Sequence, residues 1–294
     1  IPLRYSLCAR NIDATIIEAG ELLHYLHEAY RDALVVIVSR SGESIEIARL
    51  LSLPGAARKI IGVTNEPASL LASKADVGLH IGSFSDEIVA IQSYTGTLLT
   101  LHILIAALDD SLAQTRDEVA GYLSAMRPLI LRCLANPGEW DAFLDERSPV
   151  HLLARGPSTA SALEGALLFN EVAKHPAIGM PSASFRHGPV EVVDSRFRGL
   201  IFAPAGRTRE LNLSLARDLH RFGGSIRLIG PPPESEEEMP FVAVPECPEA
   251  LAPLFEIIPV QVAALRMAQI RGIAPGTFRY APQVAADEAS FARR

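Results

Sequence analysis

Paired cysteines, a basic excess and a membrane-length apolar run are all missing from this chain. Its three cysteines, Cys8, Cys133 and Cys247, stand far apart and without metal-ligand spacing. That excludes a disulfide scaffold and a catalytic thiol motif, and it reads as reduced thiols in a cytoplasmic protein. The formal charge is −7, from 27 basic and 34 acidic residues. With no basic face, no nucleic-acid partner is expected, and the dense cluster Glu234 to Glu238 reads as a solvated loop. The most apolar run, Leu98 to Leu108, falls well short of the ~18 to 20 residues that cross a bilayer and carries His102 inside it. It reads as a buried helix, and no membrane partner is expected. The start does not resemble a signal peptide. No His, Cys or carboxylate cluster suggests a metal, and no G-x-x-x-x-G-K-[ST] pattern suggests a nucleotide loop. No cofactor is expected. What is present is 49% hydrophobic content against 21% charged residues over 294 positions, enough apolar surface for one large or two medium domains.

The most informative stretch is Leu34-Val-Val-Ile-Val-Ser-Arg-Ser-Gly-Glu-Ser44, an apolar strand that breaks into serines and a glycine before a helical pattern resumes at Ile45. Gly42 lets the backbone curl, the following helix offers free N–H groups, and the hydroxyls of Ser39, Ser41 and Ser44 complete an anion cradle. The alternative is an ordinary strand-to-helix turn with Ser44 or Ser41 as N-cap.

The chain also repeats itself. A shift of about 164 to 166 positions sets Ala33–Ser44 beside Arg198–Thr208, with Gly42 over Gly206 and Ser44 over Thr208. Ile60–Thr64 then falls on Ile226–Gly230, and Asp76–Ile81 falls near Pro240–Pro245. Each half alternates short strands with helical segments such as Ile45–Leu51 and Glu210–Phe222, the pattern of a parallel sheet sandwiched by helices. Residues 1–110 are expected to form the first α/β domain, 111–147 a helical linker including Val119–Leu134, and 148–294 the second domain with a C-terminal tail. The second half opens with Val150–Ala154, a turn at Arg155–Thr159 and a helix from Ala160 to about Ala173. The counterpart of that strand falls before residue 1, so a preceding strand and loop are expected.

Three blocks resemble the tandem sugar-isomerase (SIS) domain family, and in particular the isomerase half of glucosamine-6-phosphate synthase and its stand-alone relatives. Ser39-Arg-Ser-Gly-Glu-Ser44 is similar to the family's S-x-S-G-x-[ST] loop. Ala162–Val172 followed by Phe185-Arg-His-Gly-Pro189 resembles A-L-E-G-A-L...E and then H-G-P. Pro253–Gln261 is similar to P-x-x-x-x-x-P-x-Q. The resemblance implies two doubly wound, flavodoxin-like domains in three α/β/α layers and a phosphosugar ligand. It implies that Ser39, Arg40, Ser41, Gly42 and Ser44 hold the sugar phosphate, and that Glu171 moves a proton between C1 and C2. It further implies that His187 opens the ring and that the protein is a homodimer, because in the family that histidine can come from the neighbouring subunit. One carboxylate facing an enediol can both take and return the proton, and an imidazole suits the ring oxygen near pH 7. If Glu171 is buried, desolvation raises its pKa toward neutrality.

Glu87 and the run Val89–Thr97 fall where the family keeps a substrate-facing loop. Val89 and Ala90 are candidate backbone contacts, and Gln92 and Ser93 candidate polar ones, against the alternative of a helix start capped by Ser85. Two positions depart from the aminotransferring members: Leu168 replaces a lysine three residues before the glutamate, and Gln283 stands about where a tail lysine is expected. An amide cannot form an imine, and Arg279 is the candidate cationic contact of the tail. In the second half Ala203 and Ala205 replace the loop serines, so Gly206, Arg207 and Thr208 read as a degenerate copy with Arg207 structural. The expected activity is isomerisation, deamination or deglycation of a 6-phosphorylated ketose or amino sugar. A non-catalytic phosphosugar sensor is the alternative.

Overall fold

The computed structural model describes all residues except 54–58, 87–88, 233–238, 281–283, 286 and 289–294. The Glu234 to Glu238 cluster, Glu87 and Gln283 thus lie outside the described residues. In chain order, α1 (Pro2–Cys8) and α2 (Ala19–Glu21) precede a π-helical turn at Leu22–Leu26. There follow β1 (Val35–Val38), α3 (Ile45–Ser52), β2 (Ile60–Thr64), α4 (Leu70–Lys74), β3 (Val77–His80) and α5 (Gln92–Leu108). Then α6 (Leu112–Leu123), α7 (Met126–Ala135) and a 3-10 turn at Pro137–Trp140 lead to β4 (Val150–Ala154) and α8 (Thr159–Val172). The remainder is β5 (Ala177–Pro181), α9 (Ser182–Arg186), β6 (Arg198–Phe202), α10 (Arg209–Arg221), β7 (Ser225–Gly230), β8 (Phe241–Ala243) and α11 (Ala252–Ile270).

Short aliphatic runs separated by helices give parallel sheets, because a strand that returns in the same direction needs a crossover to carry it back. The first sheet has order β1-β2-β3 and the second β5-β4-β6-β7-β8, with every described pairing parallel. The three repeated segments take equivalent places, β1 with β6, β2 with β7 and β3 with β8. Among the described residues β1 pairs with β2 alone, whereas β6 lies between β4 and β7.

Two compact units result, one of Ile1–Ile12 with Ile105–Thr277, the other of Asp13–Leu104 with Phe278–Arg294. In this grouping by contact, each end of the chain and the linker attach to one of the two units. The first residues join the second-sheet unit, where the Arg10 guanidinium donates to Asp109 Oδ1 at 2.7 Å. The linker joins it too. Trp140 is wholly buried with the Arg227 guanidinium 4.8 Å from its ring centroid, and Arg266 holds both oxygens of Asp141 at 2.7 and 2.8 Å. The tail joins the first-sheet unit, because Ile45 N–H donates to the Ala285 carbonyl at 3.0 Å and Glu288 pairs with Arg49. Composition carries no trace of such pairings. The expected helix over Val119–Leu134 is broken between α6 and α7. Pro128 has no N–H, and its ring collides with the carbonyl four residues back, at Ser124, where α6 stops. The helix expected over Leu98–Leu108 forms, but Ile103 and Leu108 are 46% and 56% exposed, so it is not buried throughout.

The first-sheet core gathers Ile37, Ile47, Leu50 and Leu71 with Leu22 and Leu23 of the π-helical turn. The second sheet is covered on both faces, and strand alternation decides what lies where. Leu153 of β4 shares a cluster with Phe185 of α9 and with Leu213, Leu215, Ala216 and Leu219 of α10. Its neighbour Leu152 faces the other way, against α8: a Cβ on Gly165 would lie 2.5 Å from Leu152 Cδ2 and 2.8 Å from Val260 Cγ1 of α11. A Cβ on Gly179 of β5 would lie 2.3 Å from the Ala162 carbonyl oxygen. The glycines of this region therefore mark where α8 is pressed on the sheet. Helices α8 and α11 lie on one face, α9 and α10 on the other.

Glu256 sits near the start of α11, 0% exposed. The Ser158 hydroxyl donates to its Oε1 at 2.9 Å and the Ser161 hydroxyl to its Oε2 at 3.0 Å, tying α11 to the start of α8. Burial lifts its pKa from 4.5 to about 8 against the opposing pull of both hydroxyls, with the Glu249 charge adding to the rise. The group is accordingly neutral at pH 7, one of the two bonds then running from its own O–H. A raised folded pKa contributes stability that is complete below the unfolded value and is lost as pH rises through the folded one. Glu256→Gln should therefore gain on the wild type progressively from about pH 4.5 to about pH 8 and no further above it. Urea midpoints at half-unit pH steps measure this, and a pH-independent difference would refute it.

Candidate functional site

Strand β1 delivers Ser39 to the carboxyl edge of the first sheet, where its N–H still extends the ladder by donating to the Val63 carbonyl at 3.0 Å. The chain then turns sharply. Gly42 has φ +65, and a Cβ there would lie 2.3 Å from Ser69 Oγ and 2.7 Å from Ser69 Cβ, so both conformation and space demand glycine. The loop is held from within: Gly42 N–H donates to Ser39 Oγ at 3.1 Å and Glu43 N–H to Ser41 Oγ at 3.3 Å. A hydroxyl that accepts from the backbone keeps its own hydrogen to donate elsewhere. These serines can thus shape the turn and still bind an anion. Outside support comes from the end of β2 and the chain beyond it, with Thr64 Oγ1 on the Arg40 carbonyl at 3.0 Å and Leu71 N–H on the Gly42 carbonyl at 3.2 Å.

Ser44 stands at the N-cap of α3 but makes no capping bond with its side chain, so the simple cap reading of that residue does not hold. Nor is every N-terminal N–H of α3 open, since Ile45 N–H is taken by the Ala285 carbonyl. Beside the loop lies a cavity of about 400 Å³ whose lining includes Arg40, Ser41, Glu43, Asn65, Ser69 and Asp86. Asn65, Ser69 and Asp86 had no place in the sequence reading. The only hint of the first is a Thr64-Asn-Glu-Pro67 turn closing a strand. Its side chain pins the loop after β3, accepting from Ser83 N–H at 3.0 Å and donating to the Ser83 carbonyl at 3.1 Å.

Asp86, and not Ser85, caps α5. It is 8% exposed and accepts the N–H groups of Ile91, Gln92 and Ser93 at 3.1, 3.0 and 2.8 Å and the Ser93 hydroxyl at 2.6 Å. Burial opposes its ionisation and is the largest single influence. The Ser93 hydroxyl and the three N–H groups together outweigh it and hold the carboxyl below its ordinary range. Of the residues expected to touch substrate here, Ser93 is buried with its hydroxyl given to Asp86, Val89 is buried, Ala90 is half-buried and Gln92 is exposed. Arg279 is exposed in the tail.

The proton-transfer candidates lie in the other unit. Glu171 is half-buried near the end of α8, and Lys174, at φ +52, donates its ammonium to the Glu171 backbone carbonyl. His187 is exposed at the C-cap of α9, its N–H on the Ser184 carbonyl at 3.1 Å. Because α8 and α9 cover opposite faces of the second sheet, these two side chains are not brought together within the unit. Leu168, where a lysine is expected in aminotransferring relatives, is 0% exposed.

A chain that builds the doubly wound parallel module twice, with a serine-lined glycine turn after one first-sheet strand, is a tandem α/β protein of the small-ligand-binding kind. The SIS domain model matches residues 10–107 and 143–271, and the chain belongs to that family. Among curated proteins it is 26% identical over 268 residues to the glutamine–fructose-6-phosphate aminotransferase (isomerizing) of Pyrococcus horikoshii, covering 88% of this chain and 45% of the relative. The same enzyme of Brucella abortus is 28% identical over 257 residues, covering 82% and 42%. The chain thus spans less than half the length of these relatives. Among solved structures, the C-terminal domain of glucosamine-fructose-6-phosphate aminotransferase from Francisella tularensis superposes with TM-score 0.78 at 24% identity, covering 94% of this chain and 81% of that one. Tagatose-6-phosphate ketose/aldose isomerase from Escherichia coli gives 0.73 at 20%, covering 93% and 78%. These likenesses establish the fold.

Asp86→Ala is expected to cost about 1 to 3 kcal/mol at pH 7, the range for charge-assisted hydrogen bonds lost in the interior. A depressed folded pKa gives stability that is present above the unfolded value and lost as pH falls through the folded one. The gap to the wild type should therefore close as the pH drops below about 3.9. Denaturant midpoints at pH 7 and pH 3 decide it, and an equal gap at both would contradict the assigned role.

Proposed function

We propose that this protein is a phosphosugar-binding enzyme of isomerase type, acting on a 6-phosphorylated ketose or amino sugar. The phosphate lies on the Ser39–Ser44 turn, held by hydroxyl and backbone donors with Arg40 beside them. The observation that carries this reading is the Gly42 turn, whose two serine hydroxyls accept backbone N–H groups and keep their hydrogens for a ligand. The names of the relatives point to the same substrate class. Glu171 acts as the base that removes a proton beside the carbonyl and returns it one carbon away, through an enediol, with no net gain or loss of atoms. His187 assists ring opening, and Val89, Ala90, Gln92 and Arg279 are candidate contacts of the sugar.

The active form is a homodimer with shared sites. The support is the placement of Glu171 and His187 under opposite faces of one sheet, which leaves a second copy as the source of one of them. Leu168 removes the amine that aminotransfer chemistry would use beside the glutamate. Isomerisation, deamination or deglycation accordingly fits better than amino transfer.

Incubation in deuterated water with fructose-, glucosamine- and fructosamine-type 6-phosphates should place deuterium at C1 or C2, followed by proton NMR. Glu171→Gln should abolish the exchange and leave sugar-phosphate binding intact. Binding without exchange in the wild type would point instead to a phosphosugar sensor, the reading that Leu168 and Gln283 permit. Mixing inactive Glu171→Gln with inactive His187→Ala should restore roughly a quarter of the exchange rate, as random hybrids of a symmetric dimer carry one intact site of two. A mixture as dead as its parents would rule out sharing.

A further inference from the structure

The strand ladders set Thr64 on Gly230 and, beside them, His80 on Ala243, so that counting on from β3 and β8 Glu249 falls on Asp86. Asp86 lines the open cavity beside the serine turn of the first sheet. Glu249 itself stands over the second sheet, between the loops that leave β4 and β6. The order β5-β4-β6-β7-β8 reverses there, since the chain leaves β4 for β5 on one side and β6 stands on the other. At such a reversal the loops leaving two neighbouring strands splay apart and open a crevice at their carboxyl ends, the place where doubly wound sheets take ligands.

Both bordering loops turn on a glycine of positive φ, Gly156 at +60 after β4 and Gly206 at +146 after β6. Between them lies the carboxylate of Glu249. A Cβ on Gly156 would be 3.3 Å from its Oε1, and a Cβ on Gly206 would be 2.8 Å from its Cδ and 2.9 Å from its Oε2. One oxygen faces each turn. The side chain is half-buried there, and its charge reaches the floor of the region, where it adds to the forces that keep Glu256 protonated. Volume and charge act in the same sense: an incoming phosphoryl group would meet both a filled space and a like charge.

We propose that Glu249 is the resident anion of the second crevice and closes it to external phosphoryl groups. The equivalent carboxylate of the open copy, Asp86, is turned instead onto the backbone N–H groups that begin α5. The loss of the loop serines to Ala203 and Ala205 follows naturally, because a cradle that receives no phosphate has no use for them. The exclusion stands whether or not the first cradle takes a sugar phosphate.

The test uses the full chain and inorganic phosphate as probe, counted by equilibrium dialysis. Glu249→Ser and Glu249→Ala should each bind one more phosphate per chain than the wild type, with unchanged near-UV dichroism. The same gain should persist when the first loop is disabled by Ser41→Ala with Ser44→Ala. Folded variants that bind no more phosphate than the wild type would overturn the proposal. So would phosphate found between the Gly156 and Gly206 turns in crystals of the wild-type chain, a measurement that holds even if neither variant folds. A wild type that binds no phosphate at all would fail the reading of the first cradle and leave the difference at position 249 decisive.

Discussion

A parallel strand shows alternate side chains to opposite faces, and in β4 that alternation organises the second unit. Leu152 turns to α8 and α11, Leu153 to α9 and α10. Close seating of α8 requires glycine at 165 in the helix and at 179 in the neighbouring strand, because any side chain would enter Leu152, Val260 or the Ala162 carbonyl. The same seating fixes Glu171 near the end of that helix. His187 follows the helix on the other face. Their separation is a consequence of covering a parallel sheet on both sides, and it is what makes a site assembled from two copies the economical reading.

Two buried carboxyls show how the same residue chemistry is driven in opposite directions. Asp86 and Glu256 are both taken out of water, and in each case burial is the largest single influence on the proton. Asp86 meets three backbone N–H groups at the start of a helix and a hydroxyl, donors fixed in direction and aided by the helix dipole, and it stays charged. Glu256 meets two serine hydroxyls that can reverse their sense, with a second carboxylate near by, and it stays neutral. The number and rigidity of the donors decide the outcome, since burial alone would neutralise both.

The repeat was legible because apolar strands of fixed length and glycine turns leave marks in a sequence, and β1 with β6, β2 with β7 and β3 with β8 fall where the offset sets them. The serine turn was legible for the same reason. Local chemistry also misled. Ser44 looks like a cap and makes no capping bond, while the cap of α5 is given by Asp86 from several residues upstream. The division into units depends on Arg10 with Asp109, Trp140 with Arg227 and Ile45 with Ala285, pairs separated by tens to hundreds of positions. No window along the chain contains such pairs.

By itself the sequence determined the class of fold, the two-fold repetition and the Gly42 turn, because hydrophobic period, strand length and a positive φ are local properties of a few neighbouring residues. Only the tertiary structure decided that Glu171 and His187 lie on opposite faces of a sheet, that Asp86 is held charged and Glu256 neutral, and that Glu249 fills the second crevice. Those outcomes depend on which distant groups share a volume from which water is excluded, and burial of that kind is set by the packing of whole elements.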